Sequence, residues 1–91
     1  MDDIDRWTDR LVKQLRNVSV RSPLAGKGEF VAVPNTIERI IRESSEGIEA
    51  NLLPTYFKRA KERLDQLVRE GDPYSQPLSH ASSLLLRPPR R

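Results

Sequence analysis

One stretch of this chain fixes its fold class more firmly than any other. Leu53, Tyr56, Phe57, Ala60, Leu64, Leu67 and Val68 recur at spacings of three and four. On a helix they fall within roughly a third of the circumference, while charged residues fill the rest. A polypeptide with that period cannot settle as a strand, because a strand would scatter the same side chains over both faces. The segment predicts a helix from Asn51 or Pro54 to about Arg69. Asn51 is the candidate cap, and it puts Pro54 in the first turn, where a missing N–H does no harm. Gly71-Asp72-Pro73 stops it.

Two further stripes follow the same rule. Ile4, Trp7, Leu11 and Leu15 share a face and predict a helix over 2–17, with Asp2 and Asp3 complementing the dipole at its start. Asp2 to Arg6 and Asp9 to Lys13 are acid-first pairs one turn apart, the favourable order. Ile37, Ile40, Ile41, Ser44 and Ile48 predict another helix, opened by Asn35 or Thr36 and closed by a left-handed Gly47. Between these two the period changes. Val18-Ser19-Val20-Arg21 alternates apolar and polar, and Glu29-Phe30-Val31-Ala32-Val33 is rich in β-branched and aromatic side chains. Ser22-Pro23-Leu24-Ala25-Gly26-Lys27-Gly28 lies between them and is rich in turn formers. Together these segments predict a short β-hairpin, with Pro34 ending its second strand.

The fold expected is therefore α+β and mainly helical: helix, short hairpin, two further helices. Residues 1–71 form the expected single domain. Residues 72–91 hold four of the seven prolines and four serines, and predict a flexible basic tail. The tail has one apolar feature, Leu84-Leu85-Leu86, directly before Arg87-Pro88-Pro89-Arg90-Arg91.

Composition then limits function. The 91 residues carry 16 Lys and Arg against 13 Asp and Glu, a net charge of +3. Beyond Gly71, Arg87, Arg90 and Arg91 stand against Asp72 alone, so most of the excess lies in the tail. The body is close to neutral, which favours a protein partner over a polyanion. There is no cysteine, which excludes disulfides, thiol catalysis and a cysteine zinc site. No apolar run spans a bilayer. Met1-Asp2-Asp3 is acidic with no apolar stretch behind it, so an intracellular protein is expected. Apolar residues are 36% of the chain, thin for an isolated small domain, so self-association or a partner is expected to add burial.

No constellation predicts an enzyme, a cofactor, a metal or a small-molecule substrate. His80 is the single histidine and falls in the expected tail, where nothing would hold it as a general base. Asp5 and Asp9 share a helix face, but Arg6, Arg10 and Lys13 lie among them, so ion pairing is the better reading than magnesium binding. Gly26-Lys27-Gly28 lacks the spacing of a phosphate loop and precedes a strand.

The leading expectation is a non-catalytic small binding or adaptor protein that acts through protein–protein contacts as an oligomer or complex subunit. Its candidate contacts are a surplus apolar helix face carrying Trp7, Leu11 and Tyr56, and the tail residues Leu84, Leu85, Leu86, Arg87, Arg90 and Arg91. The Pro-Pro pair flanked by arginines suits polyproline recognition. The alternative is a dimeric nucleic-acid-binding regulator using Lys58, Arg59, Lys61 and Arg63. Residues 29–68 supply a motif for it: Val31 and Val33 of a strand, Pro34-Asn35-Thr36 opening a helix, Gly47-Ile48 at a turn, then a second helix. That order resembles the ribbon-helix-helix family of DNA-binding dimers. The resemblance implies a two-stranded ribbon in the major groove, and it would turn Phe30 and Ala32 outward with Glu29 beside them. The helix, hairpin, helix order of residues 2–47 is similar to small phage head-completion proteins.

Overall fold

The computed structural model describes residues 3–21 and 30–86. The chain is mainly helical α+β. Its elements run α1 (Asp3–Val18), β1 (Val20–Arg21), β2 (Phe30–Val31), α2 (Pro34–Ser45), α3 (Leu53–Arg69) and α4 (Ser75–Leu85). The two strands pair antiparallel, Val20 opposite Val31 and Arg21 opposite Phe30.

The three stripes legible in the sequence all face one core. Trp7, Leu11, Val12 and Leu15 from α1 meet Ile37, Ile40 and Ile41 from α2 and Phe57, Ala60, Leu64 and Leu67 from α3. Leu15, Ile37, Ala60 and Leu64 have no exposed surface at all. Leu53, Tyr56 and Val68 are half-buried at the margin of the α3 stripe. The helix ends differ from expectation in detail. Helix α2 begins with Pro34 rather than after it, because proline's fixed φ and absent N–H suit a first turn. Asn35 and Thr36 thus lie inside that turn, and the amides of Thr36 and Ile37 both donate to the Val33 carbonyl. Leu52, not Asn51, occupies the cap of α3, with Pro54 in the first turn. Gly47 does not close α2 in a left-handed conformation. Among the described residues Gly71 alone has positive φ, at 82°.

The largest departure is at the C-terminal end. Residues 72–86 are folded rather than an extended tail, and the domain runs well past Gly71. Helix α4 lies against α3 and α2, and Leu78, Ala81, Ser82 and Leu85 are buried. Those positions follow an i, i+3, i+4, i+7 spacing, so four inward side chains line one face. Pro77 is no obstacle, because the third residue of a helix has no intrahelical use for its N–H. His80 sits on this helix, half-buried.

The reversal between α3 and α4 is closed by backbone and side-chain contacts at residues 71–74. Gly71 supplies the positive φ, and the Asp72 amide donates back to the Leu67 carbonyl at 3.2 Å. Asp72 then accepts from the Tyr74 amide at 2.8 Å and pairs with Arg16 of α1 at 2.6 Å. The Arg16 guanidinium also lies over the Tyr74 ring, 5.5 Å from its centroid.

Candidate interaction surface

The structure separates the residues expected to meet a partner. Trp7 and Leu11 belong to the core. Trp7 is 9% exposed and Leu11 1%. The Trp7 indole N–H donates to the Ser44 carbonyl at 2.8 Å, and its ring stacks on Phe57 and meets Tyr56 edge-on, centroids 6.1 and 5.6 Å apart. Tyr56 keeps only a partial exposure. Among the described residues, the stripe expected to be a surplus apolar face is the α1–α3 seam. The leucine triplet splits by helical geometry: Leu85 is buried, Leu84 half-buried and Leu86 exposed. Arg87, Arg90 and Arg91 lie outside the described residues.

Of the four candidate cations on α3, three are engaged with neighbours. Arg59 pairs with Asp5 of α1 at 2.9 Å, Lys61 with Asp65 at 2.6 Å, and Arg63 reaches the Gln66 side-chain oxygen at 3.5 Å. Lys58 is exposed. The groove between α1 and α3 is lined by Asp5, Asp9 and Glu62 as well as by Arg59 and Arg63. Opposite signs side by side give no uniform positive field for a phosphate backbone. Asp65 is expected from spacing to pair forward with Arg69, but it takes Lys61. The Lys61 hydrogen bond, and then that of Ser82 on α4, hold its carboxyl below the ordinary carboxylate range.

Among the described residues the large exposed apolar side chains are Leu52, Leu86 and two valines at the hairpin, Val20 on β1 and Val33 just after β2. Val20 and Val33 are 63% and 62% exposed. Val31, half-buried, is the cross-strand partner of Val20 and shares its face of the ladder, and Val33, two residues on, caps α2 with an extended backbone. The opposite face is closed. Phe30 stacks on Tyr74 with centroids 4.1 Å apart, Ala32 is buried, and Arg21 lies over the Phe30 ring at 5.5 Å. Phe30 and Ala32 therefore point inward, the reverse of what the ribbon-helix-helix resemblance implies. Their cover comes from Tyr74 and α4, in the segment whose serines and prolines predict a tail. The strand β2 is also paired within its own chain rather than across a two-fold.

Backbone pairing adds a second asymmetry. The Phe30 amide donates to the Pro73 carbonyl at 3.1 Å, and the Ala32 amide to the Gln76 side-chain oxygen at 3.3 Å. Both amides point away from β1, so the Val31 groups are the ones turned toward Val20. The outer edge of β2 is thus covered by residues 73–76. Strand β1 has no such cover among the described residues, and both its residues are exposed. The alternation in the sequence located these strands. It could not say which face would be buried, since that depended on α4.

The described residues hold no group of three or more metal-ligating side chains. None of their helices is long and apolar enough to cross a membrane. No family model matches the chain, and neither a curated protein nor a solved structure matches it. What the hairpin arrangement offers a partner is exposed valine side chains and, on β1 alone, an open strand edge.

Proposed function

We propose that this chain is a non-catalytic, intracellular binding protein that acts through protein–protein contacts as a subunit of a complex, with the hairpin as its contact. The observation that supports this reading is the valine face. Val20 and Val33 are left 63% and 62% exposed in a chain whose other apolar stripes are consumed by one core. β-Branched side chains on a bare sheet face gain free energy only when something covers them.

The test is a pair of baits, the wild-type chain and the Val20→Lys/Val33→Lys double variant, matched for urea midpoint. Both substituted positions are exposed, so the fold is expected to survive. The wild type retains a partner from extract and the double variant loses it. Equal retention by the two baits overturns the reading. A labelled DNA duplex at low salt tests the rival role for Lys58, Arg59, Lys61 and Arg63. Tight, salt-steep binding that the double variant keeps would favour that role instead.

A further inference from the structure

The open edge of β1 specifies more than a generic apolar contact. In an antiparallel ladder, backbone groups alternate between the two sides of each strand. The Val20 groups are turned toward Val31, so the N–H and C=O of Arg21 are aimed at the outer edge. The neighbouring Ser19 amide is already given to the Arg16 carbonyl at 3.2 Å. Arg21 is therefore the residue that can bond an incoming strand, and no partner for its backbone is seen among the described residues. Side chains alternate as well. An added strand would set one residue beside Val20, extending the valine face, and the next beside Arg21, on the face where the guanidinium lies over Phe30.

We propose that the β1 edge captures an extended segment of another protein as a third strand, with an apolar residue beside Val20 and a carboxylate beside Arg21. The inference rests on the reading of the hairpin as the contact surface and names the partner's chemistry. Charge selects the occupant. Arg21 is the charged side chain that a new neighbour on β1 must meet directly, and opposite charges across a ladder attract while like charges repel. A second copy of this chain fits poorly on the same ground. Symmetric pairing centred on Arg21 sets two guanidinium groups opposite each other. Pairing centred on Val20 would set Arg21 opposite Ser19 of the second copy, which offers its guanidinium no countercharge.

The experiment uses three labelled, end-blocked nonapeptides and the full chain, read by fluorescence anisotropy. One peptide alternates valine and glutamate. The second has lysine in place of each glutamate. The third keeps glutamate but carries a methyl group on each glutamate nitrogen, which removes the donor that would face Arg21. The first is expected to bind saturably, the second about tenfold more weakly, and the third not at all. An Arg21→Glu variant is expected to reverse the order of the first two, which a purely structural role for Arg21 would not produce. No saturable binding of the first peptide, equal binding of the first two, or binding of the methylated peptide overturns the proposal. So does a dimer in sedimentation equilibrium that Arg21→Pro dissolves, because a second copy would then hold the edge. If the peptides fail while Val20→Lys/Val33→Lys still releases the partner, strand capture is wrong and the docking face stands. If that double variant keeps the partner, the underlying reading is wrong.

Discussion

Helices α3 and α4 lie side by side and are held together for different reasons. Helix α3 carries its own instructions: 17 residues, a continuous apolar stripe, and a charged outer arc with Lys61 and Asp65 one turn apart. Helix α4 has 11 residues and no acid or base in its end turns, where α3 has Arg69 in its last. A peptide of that length and composition is a poor helix in water. Its helicity is imposed by the surface it covers, through Leu78, Ala81 and Leu85. The pair teaches that a helix can be a cause of a core or a consequence of one.

The sharpest way to break the comparison is to remove α4. A chain ending at Asp72 leaves the surfaces of α2 and α3 bare and is expected to lose cooperative urea unfolding, followed by far-UV circular dichroism. A sharp transition in that truncation would mean that α4 decorates a domain that is already complete. Next come matched cavities. Leu64→Ala in α3 and Leu78→Ala in α4 both empty fully buried sites, and each is expected to cost about 2–5 kcal/mol in urea titrations. The two should differ in hydrogen exchange: Leu78→Ala strips protection from α4 selectively, while Leu64→Ala lowers it everywhere. Gly71→Ala forces an alanine to a φ of 82° and is expected to cost about 1–2 kcal/mol.

The smallest effects test a polar link between the two helices. Ser82 donates to the Asp65 carboxylate, and Ser82→Ala is expected to cost about 1 kcal/mol at neutral pH. The folded state holds the Asp65 pKa down, so its ionised form stabilises the fold above the ordinary carboxylate range. That contribution fades as pH falls through the lowered value. The deficit of Asp65→Asn relative to wild type is therefore expected to shrink below about pH 4, measured as urea midpoints across pH.

Most of the architecture was legible because α1, α2 and α3 repeat apolar residues at helical spacing, and because Val18–Arg21 and Phe30–Val33 change that period. The end of the chain was not. Serines and prolines around Leu78 masked an i, i+3, i+4, i+7 pattern that becomes clear once Ser82 is counted as an inward position. Ser82 is buried because Asp65 accepts its hydroxyl proton, and a partner 17 positions away leaves no local mark. The candidate surface suffered from the same omission. Without α4, Phe30 had nothing to stack on, and the inward and outward faces of β2 could not be told apart. Trp7 failed for a different reason. Its position on a stripe fixes a face, but not whether another helix already covers that face.

The joint at residues 72–76 ties together positions far apart along the chain. Asp72 holds Arg16 across 56 residues, and Gln76 holds Ala32 across 44. Closing loops of that length costs entropy before any contact is gained. The hairpin, which looks like the most local element of the molecule, therefore depends for its anchoring on a late, distant encounter. For its size the chain is expected to fold more slowly than an up-and-down helical bundle, because its topology defers its fastening to the last helix.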